Sequence, residues 1–126
     1  MTQSLAFGSS GRTAFLRPLF AIDAAREGDT FVLRVSGELD LFECPRLERA
    51  LRDAEASQAV RILLDLEELT FIDAAGLSVL VAAWRRSRTG ENRLQVTHGK
   101  GSVADMFRLT ALDVVLPFVP LRTGPS

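Results

Sequence analysis

Few residues in this chain are of types that react, and their spacing decides what each can do. His98 is the only histidine and Cys44 the only cysteine. A metal centre needs several His, Cys, Asp or Glu ligands at suitable spacing; one of each does not supply them, and no cofactor is expected. His98 has no nucleophile paired with it in sequence and reads as a polar strand-end residue rather than a general base. Cys44 beside a helix start invites a lowered thiol pKa, set against a simpler role as a small packing residue. The run HGKGS (98–102) has the glycines and lysine of a phosphate loop, but neither the P-loop spacing nor a dinucleotide pattern. Catalysis therefore ranks below binding, and no enzyme activity is expected. The segment that stands out is LTFIDAAGLSVLVAAW (69–84). There Asp73 falls where an apolar strand gives way to a helix, and its carboxylate can accept the N–H groups two or three residues on. Ala74, Ala75 and Gly76 make the first turn sterically thin. On spacing alone this is a capped helix packed tightly on a sheet.

The elements that must position this junction are legible in outline. At 126 residues the chain is one domain with enough core to need no metal or disulfide. A net charge of −1 provides no basic field, so nucleic acid is not an expected partner. A single cysteine fits a reducing, cytoplasmic setting. No apolar run approaches a membrane span, and the N-terminus lacks the continuous apolar core of a signal peptide. Residues 1–16 are read as a flexible extension that docks at most through Phe7 or Phe15, residues 17–119 as the domain, and 120–126 as a tail. Strands are expected at 18–25 and 30–37, joined as a hairpin by the turn REGD (26–29). Pro45 suits the first turn of a helix at 43–57 whose apolar stripe is Leu47, Ala50, Leu51 and Ala54. VRILLDL (60–66) has the continuous apolar character of a strand buried on both faces. Leu77, Leu80, Val81 and Trp84 recur at helical spacing, and that helix closes at Thr89-Gly90 after Arg85, Arg86 and Arg88. A strand at 93–98 follows, then a helix opened by a Ser102/Asp105 capping box and carrying Val103, Met106, Phe107 and Leu109. A Pro-limited edge strand at 114–119 ends the series. The order β-β-α-β-α-β-α-β predicts an α/β fold: an N-terminal β-hairpin, then βαβ units, in a mixed, mostly parallel sheet with helices mainly on one face.

Three segments together, VSGELD (35–40), ILLDLEELTFIDAAGLSVL (62–80) and VADMFRLTAL (103–112), resemble the STAS domain family, in particular bacterial anti-sigma factor antagonists. The resemblance spans about residues 18–119 and implies a STAS-like fold. It also implies a partner switch in transcription regulation. Such a domain binds an anti-sigma factor, often a serine kinase, and so frees a sigma factor; phosphorylation of the Ser or Thr after the motif Asp dissolves the complex. Phosphate adds roughly −1.5 to −2 charges at that point, which a helix N-terminus tolerates but an interface fitted to a neutral hydroxyl does not. In this chain the acceptor position is Ala74, and Ala75 follows it. The resemblance then implies a variant held in its binding-competent state, or one controlled by other means; the second alanine argues against an introduced Ser-to-Ala change. Ser78 and Thr70 carry hydroxyls nearby but do not align with the acceptor. The partner surface implied comprises Asp40, Phe42, Asp73, Ala74, Ala75, Gly76, Leu77 and Ser78, with Asp40 also able to cap the helix at 43–57 and Glu38 a solvated strand end. The final helix of many relatives is absent here, which leaves room for self-association as a homodimer. A second implied role is an accessory subunit of a bacterial lipid-transport ATPase complex.

Overall fold

A computed structural model describes residues 19–120. The expected extension at 1–16, with Phe7 and Phe15, and nearly all of the tail lie outside the described residues. Strand β1 (Ala21–Glu27) pairs antiparallel with β2 (Thr30–Leu39), and β3 (Arg61–Ile72) and β4 (Leu94–Val96) add in parallel, in the order β1-β2-β3-β4. The hairpin turns through Gly28 and Asp29, with Gly28 at φ +62° supplying the positive φ that a two-residue turn requires. Helices α1 (Cys44–Glu55), α2 (Ala74–Thr89) and α3 (Gly101–Leu109) follow β2, β3 and β4 in turn. The α/β class, the hairpin and the parallel units agree with the sequence expectation.

Alternation sorts the sheet's faces. Leu33, Val35 and Leu39 of β2 and Ile62, Leu64 and Leu66 of β3 join a core cluster with Leu47 and Leu51 of α1, Leu77 and Leu80 of α2, and Val103 and Phe107 of α3. Their neighbours on the other face include the register partners Val32 and Leu63, also buried, and Arg34, which pairs with Glu27 at 2.9 Å and Asp65 at 3.7 Å. The helices thus share one apolar face of the sheet.

Four expectations need correction. First, the strand read over 60–66 is not a separate short element but runs on as β3 to Ile72, at the strand end expected before Asp73, through two register shifts against β2. At the first bulge the Leu66 amide donates to the buried Thr97 Oγ1 at 2.8 Å and the Glu67 amide to Asp65 Oδ1 at 3.0 Å. Amides that a bulge takes out of the ladder are in this way still satisfied. Second, the Ser102/Asp105 capping box does not form. Lys100 stands at the N-cap without a side-chain bond, Ser102 Oγ donates to the Thr70 carbonyl at 3.1 Å, and Asp105 pairs with Arg108. Third, the segment 114–119 is not a strand. A short 3₁₀ turn (Leu112–Val114) leads to a single parallel bridge between Val96 and Phe118. Pro117 offers a carbonyl to the Val96 amide at 3.1 Å but has no N–H with which to extend a ladder. Fourth, the buried stripe of α2 is Gly76, Leu77, Val79, Leu80 and Ala83, with Val81 and Trp84 only half-buried.

Candidate functional site

The C-terminal ends of β2 and β3 deliver two loops side by side. From β2 the chain passes through Asp40, Leu41, Phe42 and Glu43 into α1, where Pro45 occupies the first turn. From β3 it passes through Asp73 directly into α2. Leu39 and Ile72 are register partners, and the Asp73 amide donates to the Leu39 carbonyl at 3.3 Å, so the two loops start level.

Asp73 is the N-cap expected from the sequence: its Oδ1 accepts the Gly76 amide at 2.9 Å. Its other oxygen, Oδ2, accepts the Leu41 amide at 3.2 Å across the site. Asp40 caps a turn rather than the helix itself. Its Oδ1 accepts the Phe42 and Glu43 amides at 3.0 and 3.2 Å, while the N-cap of α1 is Glu43. Glu38, expected to be solvated, is half-buried.

Ala74 is exposed at the first position of α2 and Ala75 is half-buried behind it. Ser78 is exposed one turn on, its hydroxyl donating to the Ala74 carbonyl at 3.0 Å, and Thr70 Oγ1 donates to the Gly37 carbonyl at 3.0 Å. Gly76 and Leu77, expected on the partner surface, are instead buried. A Cβ on Gly76 would lie 2.8 Å from Ile72 Cγ1 and 3.0 Å from Leu39 Cδ2, so the first turn of α2 presses on the strand ends and turns these two residues inward.

Residues that the sequence left out complete the surface. Leu41 is 64% exposed beside Phe42 at 86%, and Phe71, the register partner of Glu38, is 42% exposed at the end of β3. The signal for Leu41 was present: two large apolar residues between a strand-ending Asp and a helix-opening Pro have no helical or strand period to satisfy. Phe71 lies beyond the 60–66 run, where two register shifts break the alternation that would assign its face.

The groups weighed for catalysis are placed otherwise. Cys44 is buried under the site, and burial, followed by the charges of Asp73, Asp40 and Glu48, pushes its thiol pKa up rather than down. His98 is exposed, with Nδ1 2.9 Å from the Gly99 carbonyl. In the HGKGS run the Gly99 amide already donates to Glu67 Oε2 at 3.1 Å, so a carboxylate sits where a phosphate loop would receive its anion. Among the described residues no cluster of three or more His, Cys, Asp or Glu side chains could hold a metal ion, and no helix is long and apolar enough to cross a membrane. What the arrangement offers is a mixed polar and apolar surface on rigid supports, suited to recognition.

A family model described as Mlab, STAS domain, matches residues 22–120. An anti-sigma-B factor antagonist of Listeria monocytogenes is 25% identical over 91 residues, covering 72% of this chain and 80% of that protein. Among solved structures, an anti-sigma factor antagonist from Mycobacterium paratuberculosis superposes with a TM-score of 0.72 at 26% identity, covering 82% of this chain and 87% of that one. The anti-sigma factor antagonist SpoIIAA in its unphosphorylated form superposes at 0.67 with 19% identity, covering 81% and 89%, a likeness of fold.

Proposed function

The chain belongs to the STAS domain family, and on that premise we propose that it is an anti-sigma factor antagonist. It acts in the cytoplasm, binding an anti-sigma factor of the serine-kinase type through the Asp40–Glu43 turn and the exposed start of α2, and so frees a sigma factor for transcription. The observation that carries this reading is the junction at Asp73. The cap, the thin first turn and the flanking apolar residues are all in place, while the exposed residue after the Asp is Ala74. A methyl group cannot take phosphate, so binding is kept and release by phosphorylation at this position is lost. The names of the relatives support the partner class.

The test is to incubate the protein with the anti-sigma kinases encoded in its own genome, with ATP, and to measure complex formation and phosphate incorporation together. A stable complex without incorporated phosphate is expected, and Ala74→Ser should gain phosphate while it still docks. Phosphate on Ser78 or Thr70 of the unaltered protein would overturn the non-releasing state. Binding to the nucleotide-binding subunit of a lipid-transport ATPase, with none to an anti-sigma factor, would overturn the assignment itself.

A further inference from the structure

The turn between β2 and α1 carries Leu41 and Phe42 outward, yet its four amides from Leu41 to Cys44 all have acceptors. Asp40 Oδ1 takes the Phe42 and Glu43 amides, and the Asp40 carbonyl takes the Glu43 and Cys44 amides, both at 3.1 Å. Arg46 braces the same turn, pairing with Glu43 at 3.1 Å while its guanidinium lies 5.1 Å from the centre of the Phe20 ring. The one remaining amide, that of Leu41, donates to Asp73 Oδ2 at 3.2 Å, from the other loop and 32 residues away.

A helix cap uses one side-chain oxygen, and Asn, Ser or Thr would serve α2 about as well as Asp. Only a carboxylate presents two acceptors and no donor. The second oxygen of Asp73 is therefore surplus to capping, and it is spent on the turn.

We infer that Asp73 is the positioning residue for the Leu41–Phe42 turn: its carboxylate clamps the turn to the N-terminus of α2 and so presets Phe42 for insertion into an apolar cleft of the anti-sigma factor. An exposed aromatic side chain on a backbone already fixed loses little freedom on binding, which is what makes such residues effective anchors. The identity of the cleft rests on the anti-sigma reading; the clamp does not.

Asp73→Asn separates the two duties: an Asn at an N-cap keeps its oxygen on the helix amide, here that of Gly76, so its NH2 group faces the Leu41 N–H, donor against donor. Amide hydrogen exchange of the full chain is measured for the unaltered protein, Asp73→Asn and Asp73→Ala. The Leu41 amide should be protected in the unaltered protein and should exchange at least about tenfold faster in Asp73→Asn, the scale of one charge-assisted hydrogen bond. Gly76 should keep its protection in that variant, and both amides should lose it in Asp73→Ala. An unprotected Leu41 amide in the unaltered protein, or unchanged exchange in Asp73→Asn, would overturn the clamp.

Affinity for the genome's anti-sigma kinases forms the second arm. Phe42→Ala and Asp73→Asn should each weaken the complex about tenfold or more, and the double variant little further than Phe42→Ala alone. Independent, additive losses would overturn the positioning role while leaving the anti-sigma reading intact. Failure of the unaltered protein to bind any of these kinases would remove that reading and the cleft with it, and the exchange data would still decide the clamp.

Discussion

Neighbouring small residues at the start of α2 have opposite tolerances. Ala74 is exposed, so Ala74→Ser should leave stability within about 0.5 kcal/mol. Gly76→Ala would force a methyl to 2.8 Å from Ile72 Cγ1 and should destabilise by about 1–3 kcal/mol. Urea midpoints of the two variants compare them directly, and equal midpoints would mean that the first turn can shift away from the sheet. The buried Cys44 thiol yields a pH prediction. Its folded pKa lies above the unfolded one, so the folded state holds this proton more tightly. The stability it contributes is complete below the ordinary thiol pKa and falls as pH rises through that value toward the folded one. The chain has no tyrosine and Lys100 is its single lysine, so few other groups titrate there. Between about pH 8 and 10, the unaltered protein should lose more stability than Cys44→Ala, measured as the change in urea midpoint; parallel profiles would show the thiolate to be tolerated inside. Asp73 marks how far a sequence carries at this scale. Its cap partner lies three residues on and was legible, whereas its bond to Leu41 depends on β2 and β3 ending level, which no local pattern records.

At the scale of elements, the chain order, the hairpin and α1 with its Pro45 start were legible because each rests on contacts within a few residues. The bulged course of β3, the uncapped start of α3 and the loss of the last strand were not, because each is settled by a distant partner: Thr97 for Leu66, Thr70 for Ser102, Val96 for the Pro117 segment. The ends of the helices away from the site show the same long-range ties and can be tested. Arg93 donates to the carbonyls of Ser57 at 3.2 Å, Ala59 at 2.7 Å and Glu55 at 2.5 Å, binding the exit of α1 to the entry of β4. Arg86 of α2 forks onto Glu55 of α1, at 2.9 to 3.2 Å, and reaches Glu48 at 3.7 Å. Arg93→Ala strips donors from half-buried carbonyls and should cost about 2 kcal/mol, with little dependence on salt. The Arg86 pairs are partly exposed and partly screened, so Arg86→Ala should cost about 1 kcal/mol and less at high salt. Midpoints in dilute and in about 1 M NaCl would separate the two, and a salt-sensitive Arg93→Ala would mean that its pair with Glu91 outweighs its backbone bonds.

For the whole molecule, the question is whether the site and the far helix belong to one cooperative unit. Leu39, Ile72 and Leu77, which support the proposed partner surface, share a cluster with Val103 and Phe107 of α3. Phe107 is 1% exposed and meets the Phe118 ring edge-on, with centroids 5.0 Å apart, so it also holds the segment bridged to β4. Phe107→Ala removes the largest of the fully buried side chains and should cost about 3–5 kcal/mol, a substantial part of a stability that in domains of this kind is about 5–15 kcal/mol. Trp84, the single tryptophan, lies on α2 against the same cluster, with the Arg88 guanidinium 5.1 Å from its ring centre. Its emission therefore reports on α2, while far-UV ellipticity reports on all the helices and the sheet. If the cluster is one unit, the urea transition of Phe107→Ala shifts to a lower midpoint with unchanged slope, and the two signals move together. An early loss of ellipticity with tryptophan emission still native would make α3 a separable unit. In that case the proposed partner surface would owe its stability to α1, α2 and the strands alone.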